Sequence, residues 1–120
     1  MKPMNRKAGG NIAEQLAAEH LEREGFVILE RNHKCAGVET DIIAADGGEL
    51  VFAEVKSSTF FGVRPAEHVG AEQMRRYVRA AKAYIAEKGL FGVNVRFDVI
   101  EVTDGRVRHI KGAFDADTAR

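Results

Sequence analysis

The sequence predicts an α/β domain with the element order α-β-β-β-α-β-β. Three observations carry this: two stretches with apolar residues at helical spacing, several short β-like runs between and after them, and a glycine-rich turn joining two of those runs. At 120 residues the chain is expected to be one domain, with a core over about 9–111 and frayed ends, large enough to fold without a disulfide or structural metal.

The first helix is expected over 11–24, "NIAEQLAAEHLERE", with Ile12, Ala13, Leu16, Ala17 and Leu21 on its apolar half and Gly25 ending it. "FVILERN" (26–32) reads as a strand. "VETDIIAA" (38–45) and "ELVFAEVK" (49–56) read as a hairpin through "DGG". A loop, "SSTFFGVRPAEH", leads to a second helix over 69–88, with Met74, Val78, Ala81 and Ile85 as its buried stripe and Gly89 after it. "VNVRFDVIEV" (93–102) and "RVRHIK" (106–111) read as strands around "TDG", and the tail "AFDADTAR" as frayed. No repeat, low-complexity segment or long linker divides the chain.

Net charge is zero, from 18 basic and 18 acidic side chains, so the overall balance does not point to a polyanionic partner. The distribution is uneven. Residues 35–68 hold two basic and six acidic side chains, net −4, whereas 69–120 hold ten and seven, net +3. Cys35 is the single cysteine, which suits a reducing compartment, and no apolar run is long enough for a membrane span or signal peptide. A cytoplasmic protein with no membrane partner is expected.

The hairpin carries the chemistry. A Gly47-Gly48 loop pairs Asp46 with Glu49, which sets Asp41 opposite Glu54 and Glu39 opposite Lys56 on one face. Opposed carboxylates repel unless a cation lies between them, and hard oxygen donors suit Mg²⁺ or Mn²⁺ with water and phosphate completing the shell. Lys56 could orient a water or neutralise charge on a phosphorane-like transition state. This is the chemistry of metal-assisted phosphodiester cleavage. The plain alternative is an ordinary half-exposed strand with alternating charge.

An Asp in one strand, a short turn and Glu-x-Lys in the next, between helices, resembles the restriction-endonuclease-like, PD-(D/E)xK, nuclease superfamily. More narrowly, "GNIAEQLAAEHLEREGFVILERN", "ETDIIAADGGELVFAEVKSS", "FGVRPAEHV" and "VRFDVIEV" are similar to the YraN-like family of bacterial proteins, over residues 9–103. The resemblance implies an αβββαβ core, a mixed central sheet flanked by helices, and a catalytic set of Asp41, Glu54 and Lys56. Mg²⁺ would be held by Asp41, Glu54 and the Val55 carbonyl. Glu39 and Glu14 stand where that family also carries acids, which makes Glu39 a further catalytic candidate and Glu14 a further metal candidate. Gln73 and Tyr77, one turn apart, resemble a Gln-x-x-x-Tyr motif of the exonuclease branch.

Arg75, Arg79 and Lys82 share a helix face with Arg76 beside them, and with Gln73 and Tyr77 they form the expected nucleic-acid surface. His20, His33, His68 and His109 lack a ligand spacing and receive no role; Arg96 and Asp98 share a strand face and are expected to pair. The expected function is a metal-dependent nuclease acting on DNA or RNA in recombination or repair, with a homodimer as the form that could cut two strands. The rivals are a non-catalytic nucleic-acid-binding module of the same fold and a structural adaptor whose acids pair internally.

Overall fold

Ala, Leu, Glu and Gln, all good helix formers, dominate the first element, and Gly25 stops it. At a φ of 90° Gly25 takes the left-handed turn that a side chain would resist. Its N–H donates to the Glu22 carbonyl at 3.0 Å, that of Phe26 to Leu21 at 2.9 Å, and Phe26 packs with Leu21. This is a complete Schellman ending. In this computed structural model residues 8–58 and 70–115 are described, with backbone alone for 8–11 and 58. The elements are α1 (Ala8–Arg23), β1 (Val27–Cys35), β2 (Val38–Asp46), β3 (Glu49–Ser58), α2 (Ala71–Lys88), β4 (Asn94–Thr103) and β5 (Arg106–Phe114).

The strands form one mixed sheet in chain order, β1-β2-β3-β4-β5. Only β3 and β4 run parallel, Glu49 beside Asn94 through Ser58 beside Thr103, because α2 carries the chain across between them. One face of the sheet packs Ile42, Ala44, Val51, Ala53 and Ile100 against Ala17, Ala18 and Leu21 of α1. The other packs Ile43, Leu50, Phe52, Phe97 and Phe114 against Tyr77, Ala80, Ala81 and Tyr84 of α2. Alternation along the strands then assigns side chains to faces. Val55 and Val107 join the α1 side, so Glu54, Lys56, Arg106 and Arg108 project to the α2 side.

The expected order and the αβββαβ core are present, with β5 added. The differences are local. Ile12 is 64% exposed, because Ala13, Ala17, Ala18 and Leu21 turn the buried side of α1 away from it. The second helix meets the sheet through its two tyrosines, with Met74, Val78 and Ile85 at the flanks, since large aromatics reach further into the inter-layer space than the expected stripe. Ser57 and Ser58, expected in a loop, continue β3 along β4, while the rest of that loop lies outside the described residues. Ala113 and Phe114, expected to fray, complete β5, because Phe114 stacks on Phe97 at 4.8 Å. No helix among the described residues is long and apolar enough to cross a membrane.

Candidate functional site

Gly47, at a φ of 61°, makes the tight turn that places Asp46 beside Glu49, and the predicted register holds as far as Ile42 beside Ala53. There the ladder stops. Beyond it β2 stays with β1, to Val38 beside Cys35, while β3 stays with β4. Asp41 and Glu54 are therefore not ladder partners, as the continued register would have made them; they flank the mouth of a split between strands. The Asp41 side chain bridges part of that split, its Oδ2 accepting the Val55 N–H at 2.8 Å. A strand residue's N–H and C=O point to the same edge, so the Val55 carbonyl points into the split as well.

Glu54 is held from two sides. Gln73 Nε2 at the start of α2 donates to its Oε1 at 2.5 Å, and Lys56 Nζ stands 3.4 Å from its Oε2. Lys56 thus pairs with its own strand neighbour rather than with Glu39, which is exposed. The split separates Glu39 from the expected cross-strand position, and the α2-side projection of both 54 and 56 brings those two together instead.

Burial is the main reason the Asp41 carboxyl is pushed up to about 6; the Val55 N–H opposes this, and the charges of Glu14, Glu54 and Glu39 add to it. Four carboxylates from α1, β2 and β3 therefore act on one locus. Glu14, half-buried on α1, contributes from across the sheet. Tyr77 closes the floor. It is 2% exposed, and burial, followed by the Asp41 and Glu54 charges, raises its hydroxyl well above the ordinary value, against a backbone hydrogen bond with Asp41. Its expected place on a nucleic-acid surface is corrected: its ring belongs to the core and its hydroxyl to the underside of the site. Of the expected basic stripe, Arg75 and Arg76 both lean on Glu72, at 3.3 and 3.6 Å, and Arg79 and Lys82 are exposed.

Among the described residues, no three or more His, Cys, Asp and Glu side chains are gathered closely enough to hold a metal by themselves. The donor set nevertheless suits a hard cation. Two carboxylates and a strand carbonyl around the split are the partial shell that Mg²⁺ takes when water and substrate phosphate supply the rest. The accumulated negative charge at Asp41 favours such an ion.

A second polar network lies on the α1 face, built around the expected Arg96–Asp98 pair. Asp98 is fully buried, and its oxygens accept the Arg96 Nε and Nη2 at 2.9 Å each and the Gly112 N–H at 3.0 Å. His109 Nε2 lies 2.7 Å from Asp98 Oδ2, and its Nδ1 lies 3.3 Å from His20 Nε2. Burial alone would raise Asp98, but the bonds from His109, Arg96 and Gly112 outweigh it and hold the carboxyl down to about 2. Arg96 also reaches Asp46 and Glu49 at 2.9 Å, tying the hairpin tip to β4. The Arg96–Asp98 pair was legible as i, i+2 on a strand; the histidines were not, because α1 and β5 are distant in sequence.

A mixed sheet between two helices, with the αβββαβ order and a fifth strand, is the fold class expected from the sequence. The chain belongs to the uncharacterised protein family UPF0102, whose model matches residues 13–102. A UPF0102 protein of Moorella thermoacetica is 44% identical over 119 residues, covering 92% of this chain and 98% of its own. One from Persephonella marina is 39% identical over 110 residues, covering 90% and 94%. A solved structure titled "Crystal structure of SSO0001" aligns with a TM-score of 0.47 at 18% identity, covering 92% of this chain and 54% of its own.

Proposed function

We propose that this chain is a metal-dependent nuclease that hydrolyses phosphodiester bonds in DNA or RNA, in recombination or repair. The observation that supports this best is the convergence of Asp41, Glu54, Lys56 and the Val55 carbonyl at the β2–β3 split, where the charges of Glu14, Glu54 and Glu39 also act on Asp41. Asp41, Glu54 and the Val55 carbonyl would hold Mg²⁺ or Mn²⁺. When bound, such an ion polarises the phosphate and lowers the pKa of a coordinated water. The Val55 N–H fixes the Asp41 rotamer and Gln73 fixes Glu54, so the two carboxylates are oriented before any ligand arrives. Tyr77 seals the site from below, which keeps the locus poorly solvated and its electrostatics strong. Lys56 Nζ, on the same face, is placed to meet charge developing on the phosphate oxygens.

The test is incubation of the wild type and Asp41→Asn with Mg²⁺ or Mn²⁺ and linear, branched and single-stranded DNA and RNA. Cleavage lost in Asp41→Asn supports the reading, and a wild type that cuts nothing overturns it. The Lys56–Glu54 contact favours one rival, a nucleic-acid-binding module whose lysine only neutralises its neighbour. That rival predicts binding without turnover. A homodimer belongs to the same proposal, since cutting both strands of a duplex at one place takes two sites; sedimentation with and without substrate reads it.

A further inference from the structure

The expected phosphate track on α2 lies on the wrong side of its helix. At about 100° per residue, Arg75, Arg79 and Lys82 fall opposite the Tyr77–Ala81–Tyr84 stripe that meets the sheet, so they point away from the acids beneath α2. The sheet itself offers a different cationic surface. In register, Lys56 of β3 stands beside Glu101 of β4, and Glu101 beside Arg108 of β5; one step further out, Thr103 stands beside Arg106. Val55, Val107 and His109 mark the α1 side at these levels, so Lys56, Glu101, Arg106 and Arg108 share the face that carries Glu54. Glu101 is buried and Arg108 Nη1 holds it at 3.0 Å while remaining 52% exposed; Arg106 is exposed and has no ion-pair partner among the described residues.

We propose that Arg106 and Arg108 form a phosphate-binding track on the β5 edge that leads a polynucleotide backbone across the sheet face to Lys56 and the split. This rests on the nuclease reading for its destination but not for its own chemistry, which is binding of a phosphodiester backbone with or without turnover. Two residues apart on one strand, the guanidinium-bearing positions are spaced by about 6.7 Å, with Arg108 in the cross-strand row of Glu101 and Lys56 and Arg106 in the next same-face row beyond it. Glu101 anchors Arg108 in place, so less side-chain entropy is lost when it meets a phosphate. The plain alternative is that these arginines only guard an exposed edge strand against pairing with other chains.

The experiment measures affinity by fluorescence anisotropy for a labelled duplex and for one of its strands, across a salt series, in an Asp41→Asn background without added metal. Turnover therefore plays no part, and failure of the nuclease reading leaves the result intact. Arg106→Ala should lower the log–log salt slope by about 0.9 on duplex or about 0.7 on a single strand, and adding Arg108→Gln should roughly double that change. Arg79→Ala with Lys82→Ala should leave the slope as it was. Arg106→Ala breaks no ion pair, so its result stands even if Arg108→Gln perturbs β5. Unchanged slopes in the Arg106 and Arg108 variants would overturn the proposal, and so would a slope that falls only in the α2 variant.

Discussion

Replacing Asp41 by Asn should stabilise the metal-free protein at alkaline pH. The folded state holds the Asp41 carboxyl at about 6 rather than 3.8, chiefly through burial. A raised carboxyl favours the fold when protonated, so that contribution is fully present below the unfolded value and is lost as pH rises through about 6. A difference of roughly two pKa units corresponds to about 3 kcal/mol. Above pH 7 the wild type therefore keeps a half-buried carboxylate among like charges, while Asn keeps the bond from the Val55 N–H and carries no charge. Access to solvent reduces the gain, so Asp41→Asn should exceed the wild type by about 1–3 kcal/mol at pH 8 and by much less at pH 4. Urea unfolding in the presence of a chelator, at both pH values, reads it. Excess Mg²⁺ should narrow the gap at pH 8 by stabilising the wild type alone. A variant less stable than the wild type at pH 8, or a gap equal at both pH values, would refute the reasoning.

Lys56→Ala should reduce phosphodiester cleavage by on the order of 10²-fold or more, with stability changed by no more than about 1 kcal/mol for a part-exposed pair; steady-state rates and thermal melts on the same samples check both. Asp98→Ala should cost about 3–5 kcal/mol, because it leaves Arg96 and His109 without their shared carboxylate in a buried place, as read by denaturant midpoint. In the wild type Asp98, held at about 2, contributes stability that is present above the unfolded value of 3.8 and is lost as pH falls through about 2, so acid titration should show a step there that the variant lacks.

Much of the fold was legible because its signals are local. The helical spacing, the "DGG" turn and the alternation in 38–56 fix element order, hairpin register and the common projection of Glu54 and Lys56. What was not legible depends on partners distant in the chain. The hairpin rule continues the ladder past Ile42, but β1 and β4 compete for the two strands and draw them apart at Asp41. The α2 periodicity admits two neighbouring stripes; packing selects the one with Tyr77 and Tyr84, which takes Tyr77 inward and leaves the basic residues on the back. Asp98 meets His109 only because β5 folds back with a bulge, and His20 only because α1 covers that end of the sheet. Arg106 and Arg108 look like edge-strand charge until the parallel β3–β4 register sets Arg108 in the row of Lys56, with Arg106 one same-face row beyond it.

The chemistry proposed for the split requires that it hold a divalent ion. Isothermal titration of Mn²⁺ into the wild type, Asp41→Asn and Glu54→Gln asks this directly, with no substrate needed. One site per chain in the wild type, lost or weakened at least tenfold in both variants while their melts stay cooperative, is the result predicted from the carboxylates that converge there. Equal binding by all three proteins, or none by the wild type, would contradict it.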